Sequence, residues 1–132
     1  MASKNPPASF ISTIFSRREF DGSVKRISGG LRRKAQSISL LLLDVDGVLT
    51  DGRIIIDDRG VESKNFHVRD GQGIALLMRA GIEVGIMTSR SSKSVGRRAS
   101  ELGIRLVYQS VRDKLSTYNL FKRNRGLRDE QI

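Results

Sequence analysis

The chain has 132 residues, with 24 Lys and Arg against 14 Asp and Glu, a net charge of +10, and no cysteine. Without cysteine neither a disulfide scaffold nor a thiolate metal site can be built. The length fits one domain, since single domains usually run to ~100–200 residues, and a hydrophobic fraction of 38% supplies a modest core.

Residues 1–36 hold eight Lys and Arg against Glu19 and Asp21, six Ser, both prolines and the Gly29-Gly30 pair. That composition reads as a flexible, basic, Ser/Arg-rich arm that ends near Gln36, followed by a folded portion over 37–132. Organelle transit peptides share the composition with plain solvated extensions. The extension is the reading adopted, with cytoplasmic placement expected and organelle targeting through the arm as the alternative. No apolar signal-peptide core is present. The run around Leu40–Leu43 is interrupted by Asp44 and Asp46, far short of the ~20 apolar residues that span a bilayer, so no membrane partner is expected. Aromatic residues make up 5% of the chain, without Trp, and Phe10, Phe15 and Phe20 stand apart from the arginine clusters. The positive charge therefore lacks stacking platforms for bases, which argues against nucleic acid.

From Ser37 the pattern turns into buried elements. Ile38 to Val45 is a continuous apolar run ending in carboxylates, as in a parallel strand covered on both faces. After a turn at Asp51-Gly52, Arg53–Ile56 and Val61–Val68 flank the polar Asp57–Gly60 connection and read as a β-hairpin. Gly73–Ala80 is expected to be a short helix closed by Gly81, and Ile82–Thr88 a second buried strand. A helix capped by Ser91 or Ser92 runs to Leu102 and stops at Gly103. Arg105–Tyr108 is a third strand, and Asp113 to about Arg125 a last helix before Gly126. This alternation predicts an α/β fold with a Rossmann-like open parallel sheet and right-handed crossovers.

Ligands of such sheets bind outside the carboxyl ends of the strands. The first of these ends reads Leu43-Asp44-Val45-Asp46-Gly47-Val48-Leu49-Thr50-Asp51-Gly52. Two like charges at a buried strand end are costly without compensation, so the pair calls for a divalent cation. Mg²⁺ fits, because it takes oxygen ligands and is often shared between carboxylate and substrate phosphate.

Asp44-Val45-Asp46-Gly47-Val48-Leu49-Thr50 resembles the first motif of the haloacid dehalogenase superfamily of phosphatases. Phe66-His67-Val68-Arg69-Asp70-Gly71-Gln72-Gly73-Ile74, Gly81-Ile82-Glu83-Val84, Thr88-Ser89-Arg90 and the Gln109–Leu115 segment resemble its small, capless subfamily that contains 3-deoxy-D-manno-octulosonate 8-phosphate phosphatase. The likeness runs from about residue 38 to 132. It implies a haloacid dehalogenase-like sheet with a hairpin inserted after the first strand. It also implies a Mg²⁺-dependent phosphatase for a sugar-acid phosphate, with a related nonulosonate 9-phosphate as the alternative substrate.

Carried onto this chain, the resemblance makes Asp44 the nucleophile that forms an aspartyl-phosphate, and Asp46 the general acid and base. The Asp44 carboxylate and the Asp46 carbonyl would hold the metal. Thr88 would hydrogen-bond the transferring phosphoryl group, and Lys114 would balance its charge. Arg69 and Arg90 are the candidates for the sugar-acid carboxylate, because guanidinium recognises carboxylates in a bidentate manner. His67 is read as structural. The resemblance also implies that the hairpin, which carries Ile54, Ile55, Ile56 and Val61, joins with those of other subunits in a homotetramer when the chain is complete.

The chain departs from the family pattern at Ser89 and Ser110, where glycine is usual, and at Gln72, where relatives carry larger side chains. The family's acidic fourth motif and its strand are not found before Ile132, so the sequence reads as the amino-terminal portion of such a domain, truncated before its last strands, and phosphatase activity is expected to be impaired in this span. Asp57, Asp58 and Asp70 are not placed to replace that motif. The competing expectation is a non-catalytic fragment or descendant that acts as an oligomerisation or interaction module.

Overall fold

A computed structural model describes residues 28–132 of the chain. Most of the arm expected over residues 1–36 lies outside the described residues. Its last part is helical, which the sequence reading did not foresee: α1, Gly29–Ser37, starts at Ser28, whose hydroxyl accepts from the Leu31 N–H at 3.3 Å. No residue of α1 is buried. Its end is fastened instead by Ser37, whose hydroxyl donates to the Glu130 carbonyl at 3.0 Å.

The elements that follow alternate as the sequence predicts. Strand β1 is Leu40–Leu43, β2 is Ile55–Ile56 and β3 is Glu62–Ser63; α2 is Val68–Arg79, β4 Glu83–Met87, α3 Lys93–Leu102, β5 Leu106–Tyr108 and α4 Lys114–Asn124. A single 3-10 turn, Asp129–Gln131, follows. β1, β4 and β5 form a parallel sheet in that order, with Leu42 opposite Gly85 and Gly85 opposite Leu106. β4 is central, and its Val84, Ile86 and Met87 are buried, as an apolar run covered on both faces requires. One core joins Val45, Leu49, Ile74, Val84, Ile86, Val95, Ala99 and Ile104, with Leu41, Leu43 and Phe66 packed against it. Phe121 of α4 is buried and meets Tyr108 edge to face, with ring centroids 5.9 Å apart.

Three boundaries differ from the sequence reading. Helix α2 starts at Val68 rather than Gly73, so Arg69 and Asp70 lie in its first turn. His67 makes this possible: its Nδ1 accepts from the Arg69 N–H at 3.1 Å and caps the helix, a structural role as expected. Gly71 then serves packing, because a Cβ there would lie 2.3 Å from the Arg98 guanidinium and 3.2 Å from Leu102 of α3. The hairpin is present but short, with Ile55 opposite Ser63 and Ile56 opposite Glu62. Its turn is closed by the Asp57 carboxylate, which accepts from the Arg59 and Val61 N–H groups at 3.0 and 2.7 Å. Beyond β3 only an isolated Thr50–Phe66 bridge continues the pairing, so Val61–Val68 is not one strand. Among the described residues no helix is long and apolar enough to cross a membrane.

Candidate active site

The carboxyl ends of β1, β4 and β5 bring Asp44, Thr88 and the Gln109-Ser110 loop to one edge of the sheet. Asp44 directly follows β1. One of its carboxylate oxygens accepts from the Val45 N–H at 2.7 Å and the other from Lys114 Nζ at 2.5 Å. Lys114 is the first residue of α4, and its position is set by Asp113, whose carboxylate caps the helix through the Ser116 N–H at 3.0 Å. Burial alone would push the Asp44 carboxyl up; the Lys114 ammonium, the Val45 N–H and the Thr88 hydroxyl outweigh it and hold the group below its ordinary value. Thr88 is 2% exposed, and its backbone is paired to Tyr108 and Val111.

Asp46 lies in the turn after β1 and is held from the other side. Lys64 Nζ donates to Asp46 Oδ1 at 2.5 Å and to Glu62 at 3.3 Å. Arg90 donates to Glu62 at 2.6 Å and lies 3.9 Å from Asp46 Oδ2. Burial would lower the affinity of Lys64 for its proton, but the two carboxylates outweigh it and raise the pKa. Four alternating charges thus join the hairpin to the strand end.

Of the residues singled out in the sequence, the structure brings Asp44, Thr88 and Lys114 into one group, and Asp46 and Arg90 into a second beside the first strand end. Arg69 stands apart. It is exposed in the first turn of α2, and among the described residues its guanidinium has no hydrogen bond or ion pair. Sequence reasoning missed Lys64 and Glu62, which belong to no motif. The available signal was their spacing of two in a β-rich run, which places them on one face of a strand.

Ser110 has φ +59°, the only left-handed non-glycine among the described residues. It closes a crossing of loops in which its N–H donates to the Arg90 carbonyl at 3.2 Å and the Val111 N–H donates to Thr88 at 3.0 Å. The departure from glycine noted in the sequence therefore falls where glycine is favoured.

Asp44 and Asp46 are hard oxygen donors at one strand end and fit Mg²⁺ in kind. Among the described residues no group of three or more His, Cys, Asp or Glu is placed to hold a metal. That donor set still suits an ion that commonly keeps several waters and is bound through one or two carboxylates plus substrate phosphate. Beside Asp44 and Lys114 lies an open cavity of about 400 Å³ lined by Leu42, Leu43, Met87, Leu115 and Tyr118.

No family model matches the chain. It is 45% identical over 93 residues to the 3-deoxy-D-manno-octulosonate 8-phosphate phosphatase KdsC of Escherichia coli, covering 70% of this chain and 50% of that protein. It superposes on the phosphatase of that name from Moraxella catarrhalis, solved in complex with magnesium ion, phosphate ion and KDO. The TM-score is 0.73 with 40% identity, over 79% of this chain and 60% of that one. A Legionella pneumophila structure described as a putative HAD superfamily (subfamily III A) hydrolase gives a TM-score of 0.71 with 46% identity, over 75% and 54% of the two chains. The chain spans about half the length of the curated relatives it matches. In sequence and in fold it is similar to the 3-deoxy-D-manno-octulosonate 8-phosphate phosphatases of the HAD superfamily.

Proposed function

We propose that the chain carries the nucleophile of a Mg²⁺-dependent phosphatase acting on the phosphate monoester of a sugar acid, with 3-deoxy-D-manno-octulosonate 8-phosphate as the substrate. The observation that carries this reading is the convergence on Asp44 of the Lys114 ammonium and the Val45 N–H, at the sheet edge that also carries the buried Thr88. They hold a strand-end carboxylate ionised and surround it with donors for an anionic phosphoryl group.

In this reading a carboxylate oxygen of Asp44 attacks phosphorus, and the bond from phosphorus to the ester oxygen breaks. Asp46 gives its proton to that oxygen, so the sugar leaves as an alcohol and Asp44 carries the phosphoryl group. Asp46 then takes a proton from water, which attacks phosphorus and frees phosphate and the Asp44 carboxylate. Thr88 and Lys114 hold the phosphoryl oxygens through both steps. Mg²⁺, held by the Asp44 carboxylate and by Asp46, would supply further charge neutralisation of the phosphoryl group. Arg90, beside Asp46, and Arg69 are the carboxylate-binding candidates; Arg69 would have to reach the substrate from the start of α2.

The hairpin supports a role in assembly, since Ile54, Ile56 and Val61 are 62, 59 and 59% exposed on one small element. A homotetramer built through it would cover those side chains and wall off the site. Light scattering of the full-length protein tests this, and a monomer with undiminished activity would contradict it.

The activity itself is tested by phosphate release from 3-deoxy-D-manno-octulosonate 8-phosphate by the full-length protein, with and without millimolar Mg²⁺. Metal-dependent turnover that vanishes in Asp44→Asn is expected. No turnover of any sugar-acid phosphate would favour a non-catalytic interaction module.

A further inference from the structure

Among the ion-paired residues described, Lys64 has the most buried side chain, 2% exposed, although its neighbours Ser63 and Asn65 and the whole of residues 51–61 are exposed. A lysine is rarely buried to this depth unless it is paired, because desolvation of the ammonium must be offset by close, well-directed partners. The partners here are specific. Nζ takes Oδ1 of Asp46 at 2.5 Å and Oε1 of Glu62 at 3.3 Å, while Asp44 is left to Lys114. The second oxygen of Asp46, Oδ2, has no hydrogen bond among the described residues; Arg90 Nε is 3.9 Å away.

We infer that Lys64 is the positioning residue of Asp46: from the hairpin side it fixes Oδ1, so that Oδ2 is the oxygen that passes a proton to the leaving group, and Glu62 holds Lys64 in place. The inference deepens the phosphatase reading and rests on the acid-base role of Asp46 given there. Lys64 touches neither substrate nor reacting atoms in this scheme. It sets where one carboxylate oxygen points, and general acid catalysis depends steeply on that placement.

The test compares two esters in the full-length protein: the sugar-acid phosphate, whose alkoxide needs a proton to leave, and p-nitrophenyl phosphate, whose phenolate does not. Lys64→Met should lower kcat on the sugar phosphate by about 10–100-fold, part of the ~10²–10⁴-fold that a general acid supplies. On p-nitrophenyl phosphate the change should stay within about threefold, with KM for both esters little altered. Lys64→Arg should recover much of the loss, and Glu62→Gln should show a weaker loss with the same selectivity. If Lys64→Met does not fold by circular dichroism, Glu62→Gln decides by the same comparison. Equal losses on both esters without rescue by Lys64→Arg, or no loss on either, would overturn the positioning role alone. A wild-type protein that turns over neither ester would overturn the phosphatase reading, and this inference with it.

Discussion

Lys114 Nζ meets a carboxylate oxygen of Asp44 at 2.5 Å from 70 positions further along the chain. The contact depends on the start of a helix. Asp113 caps α4, Lys114 is the residue that follows, and the first turn of the helix carries its ammonium to the end of β1. On the proposed mechanism Asp44→Asn should therefore do more than remove the nucleophile, since it also leaves Lys114 without its counter-charge. We expect phosphate release to fall by at least ~10³-fold, whereas Asp46→Asn should lose ~10²–10⁴-fold on an alkyl phosphate and much less on an activated aryl phosphate. Normal hydrolysis by Asp44→Asn would sink the mechanism.

The left-handed Ser110 is a point of stored strain. A side chain in that region costs ~1–2 kcal/mol, and glycine gives back ~0.5–1 kcal/mol through the greater freedom of its unfolded chain. Ser110→Gly should thus stabilise the fold by up to ~1.5 kcal/mol, and a β-branched Ser110→Val should destabilise it. Urea unfolding midpoints of the three proteins check the order; a less stable Ser110→Gly would show that the serine side chain contributes more than the strain removes.

Two glycines should respond to alanine in opposite ways. At Gly85 a Cβ would lie 3.0 Å from Leu42 and 3.2 Å from Leu106, the residues opposite it on the flanking strands. Gly85→Ala overpacks the middle of the sheet and should cost ~1–3 kcal/mol. At Gly73, inside α2, nothing lies within 4 Å, and alanine there should stabilise the helix by ~0.5–1 kcal/mol. Thermal melts of both variants measure the contrast, and a stabilising Gly85→Ala would mean that the strands part without cost.

Tyr118 donates its hydroxyl to Asp129 at 2.6 Å, and Lys122 reaches the same oxygen at 2.6 Å. The hydrogen bond to Asp129 is the main reason that the phenol is pushed up to about 12, with burial and the negative charge of Asp129 acting the same way. Its folded value lies above its unfolded one, so the stabilisation is complete below the ordinary phenol range and is lost as pH rises through about 12. Phenolate absorbance should show a late-titrating tyrosine in the wild type. In Asp129→Asn that transition should move back toward the ordinary value; an unchanged titration would refute the assignment.

The sheet was legible because its strands are apolar runs that end in chemistry-bearing residues, as Leu43-Asp44 and Met87-Thr88 show. Gly103, at φ +75°, ends α3 where the sequence places its stop. What escaped had a common cause, which is that it depends on partners distant in sequence. The sequence starts helix α2 at Gly73, and only the closeness of α3 explains why Gly71 before it is a helix glycine as well. Helix α1 has no apolar face to announce it; its anchors are Ser28 and the far end of the chain at Glu130. Lys64 and Glu62 resemble ordinary strand-surface charges until Asp46 and Arg90 arrive beside them. Among the candidate residues, Asp44, Thr88 and Lys114 assemble as one group, while Arg69 remains outside it.

The hairpin enters the fold between Asp51 and Ser63 with hardly a side chain in the core, so core packing places few demands on its sequence. Length changes at the Asp57–Gly60 turn would leave the sheet, the helices and Asp44 untouched. Glu62 and Lys64, at the exit of that element, couple it to Asp46 and Arg90 beside the end of β1. The loop can therefore be edited without disturbing the parallel sheet, as long as those two positions are kept.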